Sequence, residues 1–165
     1  MPDPEVWLRG PVAGVPAPLQ PVAHSLLQSR EEVDAVLTGV APNEIWNARN
    51  GAASLGFHVR HAMGSLDRLF TYARGMTLSD AQRHVLKMES EPDPDLSADD
   101  LRAGFAAAVE RALDQLRSTD AATLTDVRLV GRAQLPSTVL GLLFHAAEHT
   151  QRHIGQAITT RKLAT

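Results

Sequence analysis

Apolar residues recur at helical spacing in four stretches of the chain. Val22, Leu26, Leu27, Val33, Val36 and Leu37 predict a helix over about 19–38, closed by Gly39 and Pro42. Leu55, Val59, Ala62, Leu66, Leu69, Phe70 and Ala73 predict a second over about 54–74, with Ser54 as N-cap and Gly75 at its stop. Leu101, Phe105, Ala108, Val109, Ala112, Leu113 and Leu116 predict a third over about 98–117. The fourth is expected to open at Pro136-Ser137-Thr138 and run to about 163, with Val139, Leu142, Leu143, Ala146, Ala147, Ile154, Ala157 and Ile158 on its apolar side. Four long amphipathic segments in one small chain predict an all-α fold, a four-helix bundle.

The rest of the chain connects these segments. Residues 1–18 carry Pro2, Pro4, Pro11, Pro16 and Pro18 and read as an extended N-terminal arm, which leaves 19–165 as a single domain. Asn43, Asn47, Asn50 and Gly51 mark a loop with a short turn around Ile45-Trp46. Ser79-Asp80 starts a short helix ending near Glu89, and an acidic, proline-containing linker follows. From Thr123 to Val130 the pattern alternates as a strand would, without an evident partner. Residues 120–135 are therefore expected to form a long, partly extended crossover before the last helix.

Composition narrows the function classes. With 165 residues the chain can bury a core unaided, and a net charge of −3 gives no footprint for nucleic acid. Neither a signal-type N-terminus nor a membrane-length apolar run is present, so a soluble cytoplasmic protein with no membrane partner is expected. Cysteine is absent, so a transition-metal site here can use only His, Asp, Glu and water.

Such a site is suggested by the histidines. His145, His149 and His153 follow one another at four-residue spacing on one stripe of the fourth segment, and His58 and His61 share a stripe of the second. Imidazoles among apolar neighbours need partners. His145 and His153 are separated by about 12 Å of helix at 1.5 Å per residue, too far to grip one ion, so the pair is either His145 with His149 or His149 with His153. The metalloprotease motif H-E-x-x-H is excluded because Thr150 follows His149 where that motif places its Glu, and no Glu has a His three residues later as di-iron bundles require. Glu148 is expected to pair with Arg152 or to steady an imidazole from outside. Solvated positions are expected for Arg60 and Arg68, surface or rim positions for His24 and His84, and packing or interface roles for Trp7, Trp46 and Tyr72.

Two stretches carry a resemblance: Phe57-His58-Val59-Arg60-His61-Ala62-Met63-Gly64-Ser65-Leu66-Asp67-Arg68-Leu69, and Glu148-His149-Thr150-Gln151-Arg152-His153-Ile154-Gly155-Gln156. With the helix order from about 19 to 163, they make the chain resemble the DinB-like (YfiT-like) metal-binding four-helix bundles, which are unrelated to the similarly named DNA polymerase. The resemblance implies a three-histidine site for one divalent ion, nickel or zinc, with His153 just ahead of Ile154-Gly155-Gln156 as the last ligand, His149 as its partner, and His61 as the ligand from the second helix. His58 is the alternative there, and His145 becomes a pocket residue. It further implies a homodimer and, for some members, a metal-dependent transferase acting on a low-molecular-weight thiol, or a hydrolase. No catalytic residue beyond the ligands is identified. The other readings are a non-catalytic metal-binding or stress-response bundle, and haem held between His61 and a fourth-helix His.

Overall fold

The computed structural model describes residues 3–48 and 51–164. It is mostly helical, 66% of the chain, as the apolar periodicity predicts. Six α-helices are present among the described residues: α1 Gln20–Leu37, α2 Pro42–Ile45, α3 Leu55–Ala73, α4 Asp80–Met88, α5 Ala98–Ser118 and α6 Val139–Ala164. One hairpin, β1 Val127–Val130 and β2 Leu135–Thr138, lies before α6.

Local chemistry sets most helix ends. Ser54, Ser79 and Ser97 accept hydrogen bonds from the backbone N–H of Phe57, Gln82 and Asp100, satisfying donors that the first helical turn leaves free. Gln82 and Asp100 reach back to the cap residues' own N–H groups and complete capping boxes. α3 stops where Gly75 takes φ +75°, its N–H bonding Tyr72 O while Met76 N–H bonds Thr71 O.

The long helices share one core. α3 packs on α6 and α5, and α1 packs on the same two. Their apolar stripes meet through Leu26, Val33, Val59, Leu66, Leu101, Phe105, Val109, Leu113, Leu143 and Ile154, all essentially solvent-free. Truncating Phe105 to Ala in such a core costs about 3–5 kcal/mol.

The proline-rich segment takes two 3-10 turns, at Val6–Leu8 and Ala17–Leu19, and α1 supplies its partners. Gln28 Oε1 accepts the Val6 N–H at 3.1 Å, and Gln20 Nε2 donates to the carbonyls of Val12 and Val15, each at 2.9 Å. At the other loop, α2 rests directly on the backbone of α3. A Cβ on Gly56 would stand 2.7 Å from Trp46 and 2.8 Å from Ile45, so only glycine leaves room.

The alternating segment does have a partner. β1 pairs antiparallel with β2, Val127 opposite Thr138 and Leu129 opposite Pro136, around a turn in which Gly131 has φ +68° and Gln134 φ +52°. The residues expected to open the last helix are therefore β2. α6 begins three residues later, at Val139, with Thr138 Oγ1 accepting the Gly141 N–H at 3.0 Å. Proline suits the first turn of a helix, but it is equally compatible with an edge strand. Arg128 fastens the hairpin to α3, its Nε donating to Ala73 O at 2.9 Å. No helix of the described residues is long and apolar enough to cross a membrane.

Candidate metal centre

Packing of α3 against α6 brings four of the histidines to one place. His58 and His61 project from one side of α3, and His149 and His153, one turn apart, from the facing side of α6. His61 Nε2 lies 2.9 Å from His149 Nε2, and His58 Nδ1 lies 3.1 Å from His153 Nδ1. Ring centroids of His153 stand 4.4 Å from His61 and 4.6 Å from His149. The ring of Phe57 stacks on His61 at 5.4 Å and walls the group on one side.

One nitrogen from each of His61, His149 and His153 falls within 4.8 Å of the other two. Two imidazoles on one tetrahedral ion, with metal–nitrogen bonds of 2.0–2.1 Å, keep their nitrogens about 3.3–3.4 Å apart. The His61–His149 separation is already close to that, and the third nitrogen needs to move in by only a modest amount. All three side chains are half-buried. A donor set of neutral imidazoles suits zinc or nickel.

Burial lowers the pKa of His153 to about 4, aided by the neighbouring His61, His149 and His58. Burial also lowers those of His58 and His149, with His61 the next cause for both. These rings are thus neutral near pH 7 and keep a lone pair each, the form in which imidazole ligates a metal.

Behind His61 lies a buried ion pair that the sequence did not suggest. Glu89, immediately after α4, is 3% exposed, and its Oε2 sits 2.8 Å from His61 Nδ1. Arg68, expected in solvent, is 8% exposed and forks onto the same carboxylate, Nη1 to Oε1 and Nη2 to Oε2 at 3.3 Å. Burial pushes the Glu89 carboxyl up, yet the hydrogen bonds from His61 and Arg68 outweigh it and hold it below the usual carboxylate range. Available signals were Gly64 inside a helical pattern and Arg68 one turn beyond it, since a glycine there usually answers to a neighbour.

Other expected residues fall as follows. His145 is exposed, 3.3 Å from Glu148, and its ring is 5.5 Å from that of His149. Glu148 pairs with Arg152 as their spacing predicts. His24 bonds Gly10 O at 2.9 Å, and His84 is exposed. Arg60 lies 5.4 Å above the Trp46 ring and donates to Glu91 O, so it is not simply solvated. Trp46 Nε1 donates to Asp93 O at 2.7 Å, while Trp7 is 60% exposed.

An open cleft of about 830 Å³ starts at His58 and His153. Its floor follows α6 through Gln156 and Thr160 to Leu163, and its walls include Phe57, Ala52, Ala53 and Arg152. A small molecule lying in it would reach the histidines with one end.

A family model described as the DinB superfamily matches residues 25–157. The chain belongs to the DinB superfamily. The matched span of this DinB-superfamily chain contains all four clustered histidines together with Arg68 and Glu89, and it ends before Thr160 and Leu163 at the far end of the cleft. Among solved structures it is similar to the crystal structure of a conserved protein from Enterococcus faecalis, with 21% identity and a TM-score of 0.67 over 88% of this chain and 95% of that one. Such a likeness shows the fold alone. No match is found among curated proteins.

Proposed function

We propose that this DinB-superfamily protein is a divalent-metal protein, holding nickel or zinc on His61, His149 and His153. The convergence of three imidazole nitrogens from two facing helices within 4.8 Å carries the reading. His58, hydrogen-bonded to His153 Nδ1, steadies that ligand, and His145 stands outside the set. The same reading takes residues 19–165 as one four-helix-bundle domain with the hairpin inside its crossover.

With three protein ligands, a bound ion retains an open position and supplies a Lewis acid that makes a thiol or a water more acidic. The residues of the cleft then do the rest. Phe57, Ala52 and Ala53 keep water off the apolar part of a small substrate, and Arg152 and Gln156 offer donors to an anionic or amide group. A low-molecular-weight thiol has these features, so a thiol transferase is the activity favoured here, with a hydrolase next. A cytoplasmic homodimer is the expected state.

Elemental analysis of the purified protein, followed by zinc and nickel titration of wild type and of His149→Ala, tests the site. Stoichiometric binding that the substitution abolishes supports it, and absence of binding by the wild-type chain overturns it. Glutathione, bacillithiol and mycothiol as donors then test for transfer. Metal binding without turnover of any of these would leave an ion that stabilises the bundle.

A further inference from the structure

None of the residues of α4, Asp80–Met88, is buried, and the residue that follows it is. The helix thus contributes almost nothing to the core, while the chain beyond it delivers one carboxylate onto α3 beside His61. Three α3 residues at i, i+3 and i+7 receive that carboxylate: His61, Gly64 and Arg68.

We propose that Glu89 is a positioning residue of the metal centre: its carboxylate fixes which ring nitrogen His61 turns toward the ion, with Arg68 and Gly64 holding the carboxylate in place. This rests on the metal-centre reading above. Donor count decides the tautomer. A carboxylate only accepts, and a neutral imidazole carries a single N–H, so a 2.8 Å contact to Glu89 Oε2 places the proton of His61 on Nδ1. Nε2 is left with its lone pair, and Nε2 is the atom that faces His149 at 2.9 Å. Without Glu89 both tautomers are open to His61, and one of them presents an N–H where a ligand is needed.

The surroundings serve that carboxylate. Buried and alone, it would be costly, and the Arg68 guanidinium neutralises it while occupying both oxygens. A Cβ on Gly64 would collide with Glu89 Oε1 and with Arg68 Nη1. Glycine weakens the middle of a helix, so what it provides here is the space the carboxylate fills. A carboxylate behind a ligating imidazole orients the ring and raises its basicity, and loss of such a partner typically weakens metal binding 10- to 100-fold.

The test uses the full chain and zinc. In the metal-free protein, ¹⁵N spectra of the His61 ring, assigned with His61→Ala, are expected to show Nδ1 protonated and Nε2 bare. Glu89→Gln should mix the tautomers and weaken zinc binding by about 10- to 100-fold, while Glu89→Asp recovers part of the affinity. Should Glu89→Gln fail to fold, the wild-type spectrum decides alone. A His61 found as the Nε2–H tautomer overturns the proposal, and so does a folded Glu89→Gln with wild-type tautomer and affinity. Absence of zinc binding by wild type would instead sink the metal-centre reading, and the tautomer measurement would still judge what Glu89 does to His61.

Discussion

Glu89 Oε1 occupies the place beside α3 that a side chain on Gly64 would need. Replacing glycine by alanine within a helix ordinarily gains about 1 kcal/mol. Here the added methyl must displace a buried carboxylate, and overpacking costs about 1–3 kcal/mol. Gly64→Ala is therefore expected to destabilise the protein by up to about 2 kcal/mol in urea unfolding, and to weaken zinc binding with it. A stabilised Gly64→Ala would show that the carboxylate has somewhere else to go.

The clustered histidines should sort by affinity. His61→Ala, His149→Ala and His153→Ala are expected to weaken zinc binding by more than about 100-fold, His58→Ala by about 10-fold, and His145→Ala hardly at all. Saturating zinc should raise Tm and a chelator should reverse the rise, with about 2.7 kcal/mol gained at a free metal concentration one hundred times Kd. Equal losses at His145 and His153 would contradict the ligand set.

Acid should destabilise the metal-free protein. Burial holds His153 at a pKa of about 4, below its ordinary 6.5, and lowers His58 and His149 in the same direction. Between those values the unfolded chain binds more protons than the folded one, so stability is complete above about pH 6.5 and falls as pH drops toward 4. Glu89, held below the usual carboxylate range, adds a loss at the acid end. Thermal melts of the chelated protein from pH 7.5 to 4.5 check this, and a constant Tm across the range would refute it.

Thr150 offers a separate test inside the core. Its side chain is solvent-free, and Oγ1 finds no hydrogen-bond partner among the described residues. Valine has nearly the same shape and removes the unpaired hydroxyl, so Thr150→Val is expected to stabilise the fold by about 1 kcal/mol, with zinc affinity unchanged. Loss of stability would mean that the hydroxyl is satisfied in solution.

Much of this protein can be read along the chain. The cap at Ser54 and the apolar stripes place α3 and α5 to within a residue or so, because those signals are local. His149 and His153 are legible for the same reason, and the resemblance to DinB-like bundles supplied His61 across the helix interface. What escaped was long-range. Glu89 looks like one more acid at the start of an acidic linker, and nothing near it announces that it is buried against His61 on another helix. Arg68 looks solvated until its partner is known. The hairpin was half visible, since β1 alternates plainly while β2 contains Pro136 and reads as a helix start.

Gly56 and Gly64 lie on either side of the α3 histidines, and each is met by a different part of the chain, the first by Ile45 and Trp46 and the second by Glu89. α3 is thereby notched twice, like a keyed shaft, with the two notches facing different neighbours. Sliding the helix by a residue, or inserting one between the notches, would put a side chain into at least one of these contacts. The phase of His58 and His61 toward α6 is thus set mechanically from outside the histidine cluster, by two absent side chains.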